Sequence, residues 1–334
     1  MANPPTILDI AREAGVSPST VSRVLNGNTP VADDKRDAVN AAVKKLRYRP
    51  NASAQGLVWG RTRAVGVLTQ SIASPFYGDI LRGIEEGLAG SDYHAVFTSG
   101  NWHTDAELAA LNLLAGRRVD ALIMLAGVTP DAQMRQMATE LPLVVIGRSV
   151  QGMERQCLRI DDMGAAEEAT RYLIELGHRR IVHIAGPELH QDARDRRAGY
   201  ERALAAAGLS ASPDLIIAGD YTELSGLMAV ETLLASGTAF SAIFAANDQM
   251  AYGARLALYR RGMRVPEDVS LVGFDDLLGS AYTTPPLTTV RQPAFELGCA
   301  AGQAIRHLLE GRTFAMPALS TELVIRESAC PLHR

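Results

Sequence analysis

Polar and aromatic side chains follow several of the apolar segments that we expect to be strands after residue 63. Planar guanidinium, amide and carboxylate groups make paired hydrogen bonds to neighbouring hydroxyls, and an aromatic face packs against the apolar face of a sugar ring. The positions are Ser74–Tyr77, Arg148, Asp192–Arg197, Tyr221, Asn247–Asp248 and Asp275–Asp276. Together these residue types predict a site for a small ligand that carries several hydroxyl groups.

The same residues also have a plainer interpretation. Asparagine and aspartate after a strand commonly cap the next helix or shape a loop. For Asn247–Asp248 and Asp275–Asp276, each taken alone, capping is the better explanation of the sequence. The ligand site therefore depends on whether the surrounding elements bring these residues together.

Short apolar strands alternate with amphipathic helices from residue 64 onward. The predicted strands span 64–69, 94–98, 121–125, 143–147, 181–185, 215–218, 242–246 and 269–274. Helices are expected between them, such as 76–89, 162–176 and 248–261. This alternation predicts an α/β body of parallel, doubly wound sheets in two lobes. Ligands of such folds bind at the carboxyl ends of the strands, here in the cleft between the lobes.

The first 50 residues predict short helices instead. Thr6 and Asp9 have the spacing of a capping box at the start of a first helix. Gly15 turns the chain, and Ser17 followed by Pro18 supplies an N-cap and a preferred first residue for a second helix. A third helix is expected from about residue 33 to residue 46. Two helices joined by a tight turn are typical of a helix-turn-helix unit.

The second helix has a polar face. Its apolar residues, Val21, Val24 and Leu25, recur at helical spacing and are expected to face inward. The polar residues left for outward contacts are Ser19, Thr20, Ser22, Arg23 and Asn26. A helix with hydroxyls at its N-terminus can hold phosphates there while it enters the major groove of DNA. An ordinary helical hairpin with a capped start is the alternative interpretation.

The charge of the chain is unevenly distributed. The 334 residues carry a formal net charge of −4. Residues 1–63 hold ten basic against five acidic residues, or +5, so the remaining 23 basic and 32 acidic residues give −9. A basic head on an acidic body indicates a polyanionic partner for the head. A merely solvated basic surface would have the same composition.

Three N-terminal segments resemble one known family. Thr6–Ala11, Ala14–Asn26 and, at the family's spacing, Tyr48–Asn51 are similar to the lactose/galactose-repressor (LacI/GalR) family of bacterial transcription regulators. The similarity continues to about Arg326 and covers essentially the whole chain. The family's usual serine at the start of the third helix is replaced, and Asp33 is the candidate cap in its place.

The resemblance implies a domain organisation. A small all-α helix-turn-helix head, residues 1–50, is expected to precede a hinge or linker helix, residues 51–63, and a periplasmic-binding-protein-like body, residues 64–334. The first lobe is expected at about 64–161 plus 292–320, and the second at about 162–291 plus 321–334. A helix over 294–309 would return to the first lobe, and a late strand is expected within 320–326.

The resemblance also implies the DNA contacts. Ser19 and Arg23, with Pro18 in apolar contact, are expected to face base edges. The backbone contacts are expected from Thr6, Ser17, Thr20, Ser22 and Asn26. Asn51 can cap the hinge helix, and Leu57 matches the leucine that the family wedges into the minor groove. Two heads on two half-sites require a homodimer.

Within the body, three segments match the family's effector-site motifs: 193–199, 246–251 and 273–276. By this carry-over the ligand contacts are expected from Arg196, Asn247 and Asp275, with Phe76 and Tyr221 as aromatic walls and Arg148 and Gln292 as further candidates. The set lacks a cluster of excess basic charge for phosphates, so a neutral sugar or short oligosaccharide that releases a repressor is expected. A purine-like corepressor is the alternative.

Rival classes find little support in the sequence. An enzyme on a doubly wound fold would carry a glycine-rich phosphate loop or a nucleophile elbow, and neither GxGxxG, GxxxxGK[ST] nor GxSxG occurs at the required place. The three cysteines, Cys157, Cys299 and Cys330, are far apart, and the seven histidines lack metal-ligand spacing, so no metal or cofactor is expected. A periplasmic sugar-binding protein would need a signal peptide, and the N-terminal residues are not expected to form one. With no membrane span expected either, the chain is predicted to be cytoplasmic.

Overall fold

The computed structural model describes residues 5–26, 30–48 and 61–332. The chain divides into two compact units, Met1–Thr62 and Arg63–Arg334. The described part of the first unit is helical, whereas the second alternates strands and helices. The predicted fold class, a small all-α head joined to an α/β body of two lobes, is confirmed.

The head consists of helices around one small core. Its elements are α1 (Ile7–Ala14), α2 (Pro18–Asn26) and α3 (Asp33–Lys45). The fully or almost fully buried side chains come from all of them: Ile10, Ala11, Val21, Val39 and Ala42. Ile7, which continues the apolar stripe of α1 in the sequence, is exposed.

The start of α3 differs from the prediction. Ala32 is the N-cap residue, and no side chain caps this end of the helix. Asp33 is already the first helical residue, and its carboxylate pairs with Arg36 at 2.5 Å. An acidic residue in the first turn still favours the helix through its dipole, so Asp33 stabilises α3 without capping it.

The first lobe is built on a parallel sheet of order β2-β1-β3-β4-β5. Its strands are β1 (Ala64–Thr69), β2 (His94–Ser99), β3 (Ala121–Leu125), β4 (Leu143–Ile146) and β5 (Cys157–Leu158). The helices that follow the first strands are α4 (Pro75–Leu88), α5 (Thr104–Gly116) and α6 (Asp131–Glu140). Helix α4 contributes to the core on one face of the sheet, and α5 and α6 to the core on the other.

The second lobe is built on a six-stranded sheet of order β11-β10-β9-β8-β6-β7. Its strands are β6 (Ile181–Ala185), β7 (Ile216–Ala218), β8 (Ala242–Ala245), β9 (Ser270–Asp275), β10 (Thr288–Arg291) and β11 (Glu322–Val324). Its helices are α7 (Asp162–Glu175), α8 (Gln191–Ala206), α9 (Glu223–Ser236) and α10 (Asp248–Arg260). Helices α7 and α8 pack on one face and α9 and α10 on the other.

One helix of the first lobe comes from the far end of the chain. After β10 the chain leaves the second sheet, and α11 (Ala294–Leu309) joins the core of the first lobe beside α4. A Cβ added at Gly83 would overlap the carbonyl oxygen of Phe295, and one at Gly298 would overlap that of Ile80. The backbones of α4 and α11 therefore touch, which only glycine permits at these positions.

Several boundaries differ from the prediction. The structure adds β5 and β10, which the sequence did not predict as strands, and Leu215 belongs to a short 3-10 turn rather than to β7. The late strand spans only Glu322–Val324, and it pairs antiparallel with β10 at the edge of an otherwise parallel sheet. The predicted helix over 294–309 has the same bounds in the structure.

Candidate functional site

Local hydrogen bonds set the connection between α1 and α2. The Thr6 backbone N–H donates to Asp9 Oδ2 at 2.9 Å, and Thr6 Oγ1 accepts from the Asp9 N–H at 3.4 Å, as the capping box predicts. Gly15 ends α1 with a φ of +66°, a left-handed conformation that glycine adopts without strain. Ser17 Oγ then accepts from the Thr20 backbone N–H at 3.2 Å and caps α2.

The outer face of α2 suits DNA. Pro18, Ser19 and Arg23 are exposed. Ser17 Oγ lies 2.8 Å from Ser19 Oγ and 2.9 Å from Thr20 Oγ1, so a cluster of hydroxyls surrounds the first amide groups of the helix. Such a cluster at a helix N-terminus can hold a phosphate, while an exposed arginine farther along the helix can reach a base edge.

Other predicted DNA contacts are less completely described. Ser22 is half-buried on α2. Asn26 is the last residue of α2, and its side chain is outside the described structure. Asn51 and Leu57 lie outside the described residues. The DNA contacts of these residues stay predictions.

Five of the predicted effector residues line one cavity of the body. This cavity, of about 370 Å³, lies between the two lobes and is called the inner cavity below. Phe76 reaches it from the start of α4, and Arg196 from α8. Tyr221, Asn247 and Asp275 reach it from the carboxyl ends of β7, β8 and β9. The strand ends therefore converge here, as expected of a doubly wound fold.

Arg196 is a buried cation with fixed partners. Its Nε donates to Asp162 Oδ1 at 2.8 Å, and its Nη1 donates to the carbonyl oxygen of Ala246 at 2.6 Å. The carboxylates of Asp192 and Asp275 lie 3.8 and 3.9 Å away. Burial alone would lower the pKa of Arg196, but these carboxylates outweigh it and raise the pKa. The guanidinium is therefore charged and already oriented without a ligand.

Asp275 combines unusual backbone geometry with a desolvated carboxyl group. Its φ is +120°, and Asp276 follows with a φ of +55°. Burial raises the pKa of Asp275 well above its ordinary range, although Arg196 opposes that shift. Gln292 Nε2 donates to Asp275 Oδ1 at 2.6 Å, so Gln292 supports the inner cavity through this carboxyl group. Strained backbone and desolvated carboxyl groups are typical of functional sites.

The capping interpretation is correct for Asn247, which also lines the inner cavity. Its Oδ1 accepts from the Met250 backbone N–H at 2.9 Å and caps α10, while Nδ2 donates to the carbonyl oxygen of Tyr221 at 3.0 Å. Its neighbour Asp248 faces the core and accepts from Thr289 Oγ1 at 2.6 Å. Burial raises the pKa of Asp248 to about 7. Of this pair, only Asn247 is placed to meet a ligand.

Arg148 lies in a neighbouring cavity of about 840 Å³, called the outer cavity below. Its Nη1 donates to the carbonyl oxygens of Gly127 and Thr129 at 3.0 and 3.1 Å, and its Nη2 pairs with Asp131. These partners all belong to the first lobe. The structure therefore separates Arg148 from the five residues of the inner cavity.

The cleft also contains Trp102, to which the sequence analysis assigned no role. Trp102 follows β2 much as Tyr221 follows β7, and it lines both cavities. Asp192 accepts a hydrogen bond of 2.8 Å from the hydroxyl of Tyr221. Burial raises the pKa of Tyr77 and of Tyr221 well above the ordinary range. The position of Trp102 shortly after a predicted strand was the signal that could have found it.

Comparison with known proteins identifies the family. Residues 6–51 match the family of bacterial regulatory proteins named lacI, and residues 62–315 match the periplasmic binding proteins and sugar binding domain of the LacI family. The second match alone spans more than half of the chain. The chain belongs to the LacI family. The resemblance seen in the sequence is thereby confirmed.

LacI-family relatives resemble the chain along most of its length. The HTH-type transcriptional regulator GalR of Escherichia coli (strain K12) is 37% identical and covers 92% of this chain and 90% of its own. The solved complex of the transcriptional regulator CelR with cellobiose is 35% identical, with a TM-score of 0.72, covering 97% of this chain and 99% of that one. The lac repressor dimer bound to operator and the anti-inducer ONPF is 30% identical, with a TM-score of 0.86, covering 98% and 100%.

The LacI-family assignment decides the class of activity. The chain is a DNA-binding transcriptional regulator and not an enzyme, since its relatives are regulators. Across residues 5–26, 30–48 and 61–332, no group of His, Cys, Asp and Glu is arranged to hold a metal ion. In the same part of the chain, no helix has the length and apolar composition needed to cross a bilayer.

Proposed function

We propose that this LacI-family regulator is a cytoplasmic repressor that binds its operator as a homodimer and is released by a neutral sugar. The lac repressor, a relative over the whole chain, was solved as a dimer on its operator. In the proposed complex, residues 1–50 bind DNA, residues 51–63 join the head to the body, and the body binds the effector and the second copy. A homodimer would place two copies of α2 on two half-sites.

The proposed DNA contacts divide into two groups. Arg23 and Ser19 would read base edges, with Pro18 in apolar contact, because all three are exposed on α2. Backbone phosphates would be held by Thr6, Ser17, Thr20, Ser22 and Asn26. Asn51 and Leu57 would extend the interface into the minor groove through the linker.

The inner cavity is the observation that carries the sugar proposal. Arg196, Asn247 and Asp275 would bind ring hydroxyls there, and Phe76 and Tyr221 would pack against the apolar ring face. The carboxylates of Asp162 and Asp192 lie 2.8 and 3.8 Å from the single arginine of this cavity, so there is no surplus positive charge for a phosphate. The relative CelR was solved with cellobiose, which is a neutral sugar.

Two measurements test this function. A thermal-shift screen of neutral sugars and of purines should show a sugar that stabilises the protein. An operator sequence is first selected from random duplex DNA. Binding of the protein to this operator is then measured by fluorescence anisotropy at one fixed salt concentration, and it should weaken when that sugar is added. The aromatic walls formed by Phe76 and Tyr221 suit a planar base equally well. If a purine stabilises the protein and tightens operator binding, the regulator is controlled by a corepressor and not by an inducer.

A further inference from the structure

Two stacked rings bridge the cleft where its two cavities meet. Trp102 of the first lobe and His190, the residue before α8 of the second lobe, have ring centroids 3.6 Å apart and planes inclined by 21°. Trp102 lines the inner cavity of about 370 Å³ and the outer cavity of about 840 Å³. His190 lines the outer cavity. The indole ring therefore stands at the boundary between the two spaces.

The position of Trp102 is held by strained backbone and a buried side chain. Trp102 has a φ of +58° and Asn101 a φ of +50°, values that non-glycine residues adopt infrequently. Gln70, which is fully buried, accepts from the Trp102 backbone N–H at 2.9 Å and donates from Nε2 to the carbonyl oxygen of Leu125 at 3.1 Å. These bonds fix the backbone from which the indole extends into the cleft.

The outer cavity offers polar groups without surplus charge. The arginines and aspartates in its wall are Arg148, Arg159, Arg194, Asp131, Asp162, Asp192 and Asp195. Arg148 and Arg194 are bonded within the protein, the latter to the carbonyl oxygens of Glu188 and Leu189. The exposed guanidinium of Arg159 has no hydrogen bond or ion pair to any described residue. It is therefore available to bind two neighbouring hydroxyls of a neutral ligand.

We propose that the effector is an oligosaccharide of at least two rings, with one ring in the inner cavity and the next against Trp102 in the outer cavity. The inference rests on the proposed sugar-regulated function and specifies the length of the ligand. The second sugar ring takes the place of the His190 imidazole on the indole face, and Arg159 binds its hydroxyls. Trp102 is then the residue that makes the regulator prefer a longer sugar over a single ring.

Matched sugars test this preference. The parent protein is titrated calorimetrically with glucose, maltose and cellobiose, and with galactose, lactose and melibiose. At least one disaccharide should bind about tenfold or more tightly than its monosaccharide. Trp102→Ala should weaken that disaccharide about tenfold more than the monosaccharide. Arg159→Gln, at an exposed position, should act in the same direction. Tyr259→Ala removes an aromatic ring that is 78% exposed on α10 and serves as the control, which should match the parent.

Fluorescence provides an independent readout. The chain has two tryptophans, so Trp59→Phe leaves Trp102 as the single indole emitter. The preferred disaccharide, but not its monosaccharide, should change this emission because it displaces His190 from the ring. Equal binding of both sugars, weakened equally by Trp102→Ala, would overturn the length preference and leave sugar regulation standing. Binding of a purine without any sugar would instead overturn the proposed function.

Discussion

Arg196 and Asp162 form an ion pair that is almost completely withdrawn from solvent. The Arg196 Nε atom lies 2.8 Å from Asp162 Oδ1, and the two side chains are 5% and 10% exposed. The next residue, Arg197, makes an ion pair of the same 2.8 Å length with Glu201, but there the side chains are 46% and 41% exposed. Two adjacent arginines of α8 thus make similar bonds in opposite environments.

Replacing these two arginines should have very different effects on stability. Arg196→Ala leaves buried carboxylates without a cation and should lower the free energy of unfolding by about 3–5 kcal/mol. Arg197→Ala removes an exposed pair and should cost about 0.5 kcal/mol or less. Urea-induced unfolding of both variants measures the difference. Similar losses for the two would mean that the burial of Arg196 does not govern its contribution.

Asn247→Ser separates the capping role of Asn247 from its proposed role in ligand binding. Serine caps a helix about as well as asparagine but cannot replace the hydrogen bond to the carbonyl oxygen of Tyr221, so the free energy of unfolding should fall by about 1 kcal/mol. Serine has no amide donor for a ligand hydroxyl or for the carbonyl oxygen of Tyr221, so effector affinity should fall about tenfold. Chemical unfolding and ligand titration are measured on the same preparation. Asp161, which is exposed and caps α7 by accepting from the Gly164 N–H at 2.9 Å, supplies the control variant Asp161→Ser. Unchanged affinity in Asn247→Ser would leave Asn247 a cap and nothing more.

His183 should make the protein sensitive to acid. Its ring is fully buried between Tyr200 and Phe244, with centroid distances of 5.0 Å to each, and Nδ1 donates to the Phe244 carbonyl oxygen at 3.1 Å. Burial lowers the pKa of His183 from 6.5 to about 4. The unfolded chain therefore takes up a proton at a higher pH than the folded chain does. Stability is lost as the pH falls from about 6.5 to about 4, by up to about 3 kcal/mol from this residue.

Unfolding free energies measured across that pH range test the contribution of His183. His183→Phe should flatten the decline relative to the parent, whatever its effect on absolute stability. His103→Asn, at an exposed position that lines the outer cavity, should keep the parent's slope. A parent-like slope in His183→Phe would assign the acid sensitivity to other groups.

Arg23→Ala should change which DNA sequence is preferred. If Arg23 reads a base edge, its loss relaxes the preference at one symmetric base pair by about 1–3 kcal/mol. Arg12 on α1, with a side chain 83% exposed, is the matched control, and Arg12→Ala should weaken binding evenly across sequences. Selection from random duplex DNA gives the motif of each variant. The same motif from Arg23→Ala as from the parent would show that Arg23 reads no base.

Local patterns were sufficient to predict most of the fold. The capping residues Thr6 and Ser17 act within one helical turn, and α11 has a long apolar face, so both kinds of feature are visible in the sequence. β5 and β10 have only two and four residues, and they are strands because neighbouring strands bind them. At α3 the N-cap residue is Ala32 and not the predicted Asp33, a difference of one residue that side-chain types alone do not determine.

The inner cavity was predictable and the division of the cleft was not. Strand ends converge in any doubly wound sheet, so Tyr221, Asn247 and Asp275 could be grouped from their order in the chain. The contact between Trp102 and His190 depends on how closely the two lobes approach each other. Arg148 likewise lies in the outer cavity because nearby carbonyl groups of its own lobe hold it there.

The glycine contact between α4 and α11 makes the folding of the first lobe depend on a segment that is synthesised late. Strands β1 to β5 leave the ribosome early, but the face of α4 that carries Ile80, Ile84 and Leu88 is buried in a core that α11 completes. The second lobe has all but its edge strand within one continuous stretch of chain. The lobe that is translated first therefore cannot complete its core until residues 294–309 emerge, and until then it exposes apolar surface to chaperones and proteases. A chain that ends shortly before α11 would lack part of the core of the first lobe, whereas strands β6 to β10 of the second lobe would all be present.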